Sequence, residues 1–264
     1  MNSRINKIFS SNEKKLVTFV TGGDPDLETS KKIVNTIAKS GADIIEIGMP
    51  FSDPMADGPT IQLSSKRAIE QEINLDHIFS ICQDFRTTND DIPLILMGYY
   101  NVVFHYGIHK FVNACEKNGV DGLIIVDLQP EEDSELLTAI QSTKLDLIRL
   151  ITPTTNSKRL TTILKNSSGF LYYVTITGIT GQHSANMVEL TQSMEAIKKQ
   201  TTLPIVSGFG IKNEKQVQDV CQISDGAVVG SSIVKIIENN LDNMDKAISI
   251  IAKFVKKLKT GTKK

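Results

Sequence analysis

At 264 residues the chain is long enough for one barrel of eight α/β units, roughly 250 residues in the usual case, or for two small domains. Its 40% hydrophobic and 22% charged residues are ordinary for a globular protein, and a formal net charge of −1 gives no footing for nucleic acid or an anionic membrane surface as partner. Three cysteines (Cys82, Cys115 and Cys221) without a Cys-x-x-Cys pair argue against a disulfide framework and a thiolate zinc site. The polar N-terminal segment and the lack of any run of about 18 apolar residues point to a cytosolic location.

A first strand over residues 16–21 ends in the turn cluster Thr21-Gly22-Gly23-Asp24-Pro25. Leu27, Ile33, Val34, Ile37 and Ala38 then fall on one face of a helix over 27–39. Ile44, Ile45 and Ile47 form a second strand, 44–48, interrupted by one carboxylate, Glu46. A glutamate in such a run is rarely buried without a partner, and burial alone raises its pKa. The loop that follows is stiffened by prolines and carries two more acids, Asp53 and Asp57, before helices over about 60–71 and 75–85.

The alternation continues. Strand 93–97 leads through Gly98-Tyr99-Tyr100-Asn101 to a helix over 108–117, and strand 122–126 ends at Asp127 before a helix over 131–141. Strand 145–150 precedes a helix over 158–165. Strand 170–174 runs into the loop 175–181 and a helix over 188–199. Strand 203–206 ends in Ser207-Gly208-Phe209-Gly210, with a helix over 214–221 after it. Strand 226–229 ends in Gly230-Ser231-Ser232, then a short helix over 233–239 and a final one over 242–258, whose basic end reads as a solvated surface.

Strands that are apolar throughout are buried on both faces, which means a parallel sheet. Eight strand–helix units in this length close most simply as a single (β/α)8 TIM barrel with extra short helices, one domain over residues 1–264. A doubly wound sheet, the alternative, usually stops near six strands. Polar and glycine residues gather at the strand ends, which share one rim in a barrel, and that rim carries the active site.

Two glycine sites lie on adjacent strand ends, Gly208-Phe209-Gly210 and Gly230-Ser231, the second opening a short helix. Unpaired N–H groups and a partial positive charge at a helix start seat a phosphate without Lys or Arg. Thr180 and Gly181 in the preceding loop are placed to close over the same ligand. The four histidines form no His-Glu-x-x-His pattern, and no metal site is expected.

The segment Glu46-Ile47-Gly48-Met49-Pro50-Phe51-Ser52-Asp53-Pro54-Met55-Ala56-Asp57-Gly58-Pro59 closely resembles the signature of the tryptophan synthase α-subunit family. Thr177-Gly178-Ile179-Thr180-Gly181, Gly208-Phe209-Gly210-Ile211 and Gly230-Ser231-Ser232-Ile233-Val234-Lys235 follow in that family's order and spacing. The resemblance implies retro-aldol cleavage of indole-3-glycerol phosphate to indole and glyceraldehyde 3-phosphate. It implies no cofactor in this subunit, and a β-subunit partner carrying pyridoxal phosphate in an α2β2 heterotetramer, to which the indole passes internally.

Carried over residue by residue, the resemblance makes Glu46 and Asp57 catalytic. Tyr172 would orient Glu46 or the substrate, and Thr180, Gly181, Phe209, Gly210, Gly230, Ser231 and Ile61 would bind substrate. Ile61, Phe209 and residues 123–125 are expected to wall the indole. Asp53 is assigned to loop ordering and subunit communication, and Asn101 to the partner interface. Asp127 is expected to bond either the second loop or the partner, and Tyr99, Tyr100 and Phe104 belong to the core or the partner surface. One departure stands out: where some relatives have Arg before the Gly-hydrophobic-Thr-Gly of the sixth loop, this chain has Thr175-Ile176-Thr177. Another phosphosugar barrel and a non-catalytic β-subunit activator are the competing readings. The lack of a strand-end Lys argues against Schiff-base chemistry, and the presence of both acids argues against a mere activator.

Overall fold

The computed structural model describes residues 3–174, 183–208 and 210–263. Nine parallel strand segments are present among them: β1 (Lys15–Thr21), β2 (Ile44–Gly48), β3 (Leu94–Gly98), β4 (Gly122–Ile125), β5 (Asp146–Leu147), β6 (Arg149–Ile151), β7 (Leu171–Val174), β8 (Ile205–Gly208) and β9 (Gly226–Val229). They are ordered β5-β4-β3-β2-β1-β9-β8-β7-β6. The two ends of that order, β5 and β6, are successive pieces of one run, separated by Ile148 alone. The Ile148 N–H donates to the Leu123 carbonyl at 2.9 Å, so the run bonds β4 through its first half and β7 through its second. The sheet therefore closes as a barrel of eight staves, the expected fold, with the strand foreseen over 145–150 broken in two by its change of partner.

Helices alternate with the staves: α1 (Arg4–Phe9), α2 (Leu27–Lys39), α3 (Pro59–Glu70), α4 (Leu75–Arg86), α5 (Tyr100–Tyr106), α6 (Ile108–Lys117), α7 (Ser134–Ile140), α8 (Ser157–Leu164), α9 (His183–Lys198), α10 (Glu214–Cys221), α11 (Ser231–Glu238) and α12 (Met244–Thr260). Their starts follow elementary capping: Asp26, Asn74, Asn156, Asn213 and Asn243 each accept a hydrogen bond from a first-turn N–H. Two helices lie outside the sequence reading. In α1, capped by Ser3, Ile5 is fully buried and Ile8 and Phe9 pack with it across the bottom of the barrel. In α5, which precedes α6 across Gly107 at φ 92°, the first N–H, that of Tyr100, donates to Asp127 at 2.8 Å. Asp127 thus serves the third loop rather than the second.

Side chains of a strand alternate between faces, and here the alternation sorts the two cores. Val17, Ile44, Ile95, Ile124, Ile148, Phe170, Val206 and Val228, one from each stave, fill the barrel interior above Ile5. Their neighbours Leu16, Ile45, Leu94, Leu123, Leu147 and Ala227 face outward under the helices. The interior layer is a packed floor. Whatever the barrel binds sits above it, at the C-terminal ends of the strands.

Candidate active site

Glu46 lies two residues after the inward-facing Ile44 on β2, so strand alternation turns it into the barrel. In register it stands between Phe19 of β1 and Ile95 of β3. It is 0% exposed, and neither carboxyl oxygen has a hydrogen-bond partner among the described residues. An ionised carboxylate in such a place is strongly disfavoured, and burial pushes the Glu46 pKa up to about 8. At neutral pH the group is chiefly a neutral acid with a proton to give.

Asp57 reaches the same mouth from the loop after β2. The loop is held by a turn in which the Asp57 N–H donates to the Pro54 carbonyl at 3.0 Å, and by Gln62 Nε2 bonding the Asp57 carbonyl at 2.9 Å. Gly58 and Pro59 then start α3 directly behind it. The carboxylate accepts a hydrogen bond from the Tyr99 hydroxyl at 3.0 Å, and that hydroxyl oxygen in turn accepts the Ala56 N–H at 2.9 Å. Burial raises the Asp57 pKa, and the Tyr99 hydrogen bond opposes that rise. The two acids are thus set up differently: one enclosed with no partner among the described residues, the other half-buried with a donor.

Tyr172 on β7 lies within electrostatic reach of both. Its phenol is held well above its ordinary pKa, first by burial and then by the nearby carboxyls of Glu46 and Asp57, so it remains a neutral hydroxyl. A cavity of about 370 Å³ opens here. Asp57, Ile61, Tyr172, Gly210, Gly230 and Ser231 line it, all expected from the sequence. Glu46 itself does not line the cavity. Residues 123–125 do not wall it either: Leu123 and Ile125 point outward beneath the helices, and Ile124 lies in the packed interior layer. The walls come instead from Phe19, Met97, Val174 and Val228, inward-facing positions near strand ends that alternation could have identified. Thr180, Gly181 and Phe209, with the Thr175-Ile176-Thr177 departure, lie outside the described residues.

On the far side of the cavity α11 begins at Ser231, two residues earlier than its periodicity suggests, with Gly230 as its N-cap and no side chain capping that end. Gly210 adopts φ +59°, which favours glycine, and the Ser232 hydroxyl donates to the Ile211 carbonyl at 2.6 Å, tying the eighth loop to the seventh. An uncapped helix start beside a glycine loop can hold an anion without a cation. On the rim outside the cavity Asp53 and Asn101 are exposed, as are Met55 at 86% and Phe104 at 62%. Tyr99, left between core and surface by the sequence, is 3% exposed and bonded to the Asp57 loop.

A sequence model of the tryptophan synthase alpha chain matches residues 5–263. Tryptophan synthase subunit alpha from Legionella pneumophila superposes with a TM-score of 0.91 at 32% identity, over 99% of this chain and 98% of that one. A protein from Aquifex aeolicus is 34% identical with a TM-score of 0.88, over 98% and 99%. Tryptophan synthase from Mycobacterium tuberculosis is 26% identical with a TM-score of 0.89, over 99% and 100%. Matched nearly end to end in sequence and in fold, the chain belongs to the tryptophan synthase alpha chain family, the lyases of the aldol cleavage half-reaction in tryptophan synthesis.

Proposed function

We propose that Glu46 and Asp57 divide between them the proton movements by which this family member cleaves indole-3-glycerol phosphate to indole and glyceraldehyde 3-phosphate. The bond that breaks joins indole C3 to the hydroxyl-bearing carbon of the glycerol chain. Glu46, neutral at physiological pH, gives its proton to C3 and so makes the ring an electron sink. Asp57, ionised, accepts a hydrogen bond from the indole N–H and stabilises the positive charge that C3 protonation creates. The C–C electron pair then returns to the ring, the hydroxyl oxygen becomes the aldehyde, and its proton passes to the Glu46 carboxylate. The acid is restored and no net proton is consumed.

The remaining residues bind. Gly210, Gly230 and Ser231, with Thr180 and Gly181, seat the phosphate. Ile61 and Phe209 flank the indole, and Tyr172 orients Glu46 or the ring between the two acids. The chemistry is carried by acids and hydrogen bonds, so this subunit uses no cofactor. Its partner is a pyridoxal-phosphate-bearing β subunit in an α2β2 assembly that receives the indole, with Asp53 and Asn101 on the face that meets it. We place the assembly in the cytoplasm.

The observation that carries this reading is the enclosed Glu46, without a hydrogen-bond partner among the described residues, whose pKa of about 8 suits a group that must both give and take a proton near neutrality. The test is indole release from indole-3-glycerol phosphate by Glu46→Gln. Binding of a substrate analogue is retained while turnover falls by orders of magnitude. Wild-type rates in that variant would sink the assignment.

A further inference from the structure

We infer that Tyr99 is a positioning residue for the cleavage: its hydroxyl, set between the Ala56 N–H and the Asp57 carboxylate, holds that carboxylate in place. The inference rests on the role proposed above for Asp57.

A phenol has one proton to donate. Here the proton goes to Asp57 Oδ2, because the Ala56 N–H can only donate and so uses the oxygen as an acceptor. The two bonds, 2.9 and 3.0 Å, leave the hydroxyl a single orientation. The ring cannot drift, since Tyr99 is 3% exposed at the end of β3 and packs on Phe51 with ring centres 5.2 Å apart. Burial and the adjacent Asp57 charge hold the phenol well above its ordinary pKa, so it remains a donor near neutrality.

Among the described residues no other side chain hydrogen-bonds the Asp57 carboxylate. The titratable groups around it are Tyr172 from β7 with Glu46 beyond it, Asp127 on the far side of Tyr99, and Asp53 on its own loop. None is a cation. Burial works against the charge of Asp57, and the Tyr99 hydroxyl is the group that opposes it. Without that hydroxyl the carboxylate becomes protonated at a higher pH and is free to turn away from the ring nitrogen.

The test is the pH dependence of indole release from indole-3-glycerol phosphate, with a tryptophan synthase β subunit present, for wild type, Tyr99→Phe, and a protein carrying a ring-fluorinated tyrosine at position 99. Loss of the hydroxyl lowers kcat by about 10- to 100-fold with little change in KM and moves the acid limb of the profile up by about one pH unit, while the melting temperature stays near that of wild type. The fluorinated ring keeps the fold and is a stronger donor, so it moves the same limb down. That arm decides the matter even if Tyr99→Phe folds poorly. An acid limb that stays in place in both proteins, or a Tyr99→Phe variant altered in KM alone, overturns the inference. Asp57→Asn separates the two levels: if that variant cleaves at the wild-type rate, the role of Asp57 fails, whereas a slow Asp57→Asn beside an unmoved acid limb in the Tyr99 proteins sinks only the role of Tyr99.

Discussion

Gly208 lies so close to Tyr172 that a β-carbon on the glycine would sit 2.8 Å from the tyrosine hydroxyl oxygen and 3.0 Å from its Cε1. The two residues are on adjacent staves, two positions apart in register. The missing side chain is therefore space that the phenol occupies, within electrostatic reach of Glu46 and Asp57. Gly208→Ala forces the ring off its place, an overpacking of about 1–3 kcal/mol. Roughly tenfold loss in kcat/KM for indole release is expected, with a fall in melting temperature of several degrees. Unchanged kinetics and melting would mean that Tyr172 can shift without consequence.

Burial of Glu46 makes stability depend on pH, and the direction is fixed. Its folded pKa, about 8, is above its ordinary value of 4.5, so the folded protein holds a proton that the unfolded chain has already lost. The associated stability is fully present below about pH 4.5 and disappears as pH rises through about 8. Glu46→Gln keeps the shape without the titration. Its melting temperature should gain on the wild type between pH 5.5 and pH 8.5, by an amount corresponding to a few kcal/mol. Parallel pH profiles for the two proteins would show that the folded carboxyl titrates like an exposed one.

The barrel could be read from the chain because each stave is a short apolar run and each helix keeps its 3.6-residue period. Glu46 could be read because it is a carboxylate set among three isoleucines in such a run. Three features could not, each for a physical reason. The break at Ile148 depends on which strand bonds each edge of the run. The plug α1 has only Ile5, Ile8 and Phe9 to bury, in a segment otherwise polar. The link from Tyr99 to Asp57 joins positions 42 residues apart, and only the pairing of β2 with β3 brings the hydroxyl to the loop. Residues 123–125 were misplaced for a simpler reason: a stave offers alternate residues to the interior, and Leu123 and Ile125 are on the wrong parity.

Asp57→Asn keeps the size of the side chain and its capacity to accept a hydrogen bond but removes the charge that the cationic ring requires. A loss of about 10²- to 10⁴-fold in kcat is expected, as for other groups that stabilise developing charge. The wild-type profile should lose activity as pH falls through the Asp57 pKa, which burial has raised, and again as pH rises through that of Glu46 near 8. In Asp57→Asn the acid limb should vanish and the alkaline limb remain. An acid limb that persists in Asp57→Asn would assign it to another group.

The last prediction concerns what holds α3, and with it the loop of Asp57, against the barrel. Arg67 on α3 donates from Nε and Nη2 to the two carboxyl oxygens of Asp24, at 2.7 and 2.8 Å, and the Asp24 side chain is 0% exposed. One turn earlier on the same helix, the hydroxyls of Ser64 and Thr21 are 2.5 Å apart in the core. Arg67→Met keeps the apolar stem but strands a buried carboxylate, a loss of about 3–5 kcal/mol where one partner of a buried pair is removed. The urea midpoint should drop accordingly. Asp24→Asn together with Arg67→Gln replaces the charges by amides that can still bond each other, and should recover much of the loss, because the penalty comes from the unpaired charge more than from the missing bond. If the double variant is instead less stable than Arg67→Met, the ion pair itself, and not the relief of a stranded charge, fixes α3. Indole release by the single variant should fall as well, since α3 begins at the residue pair that follows Asp57.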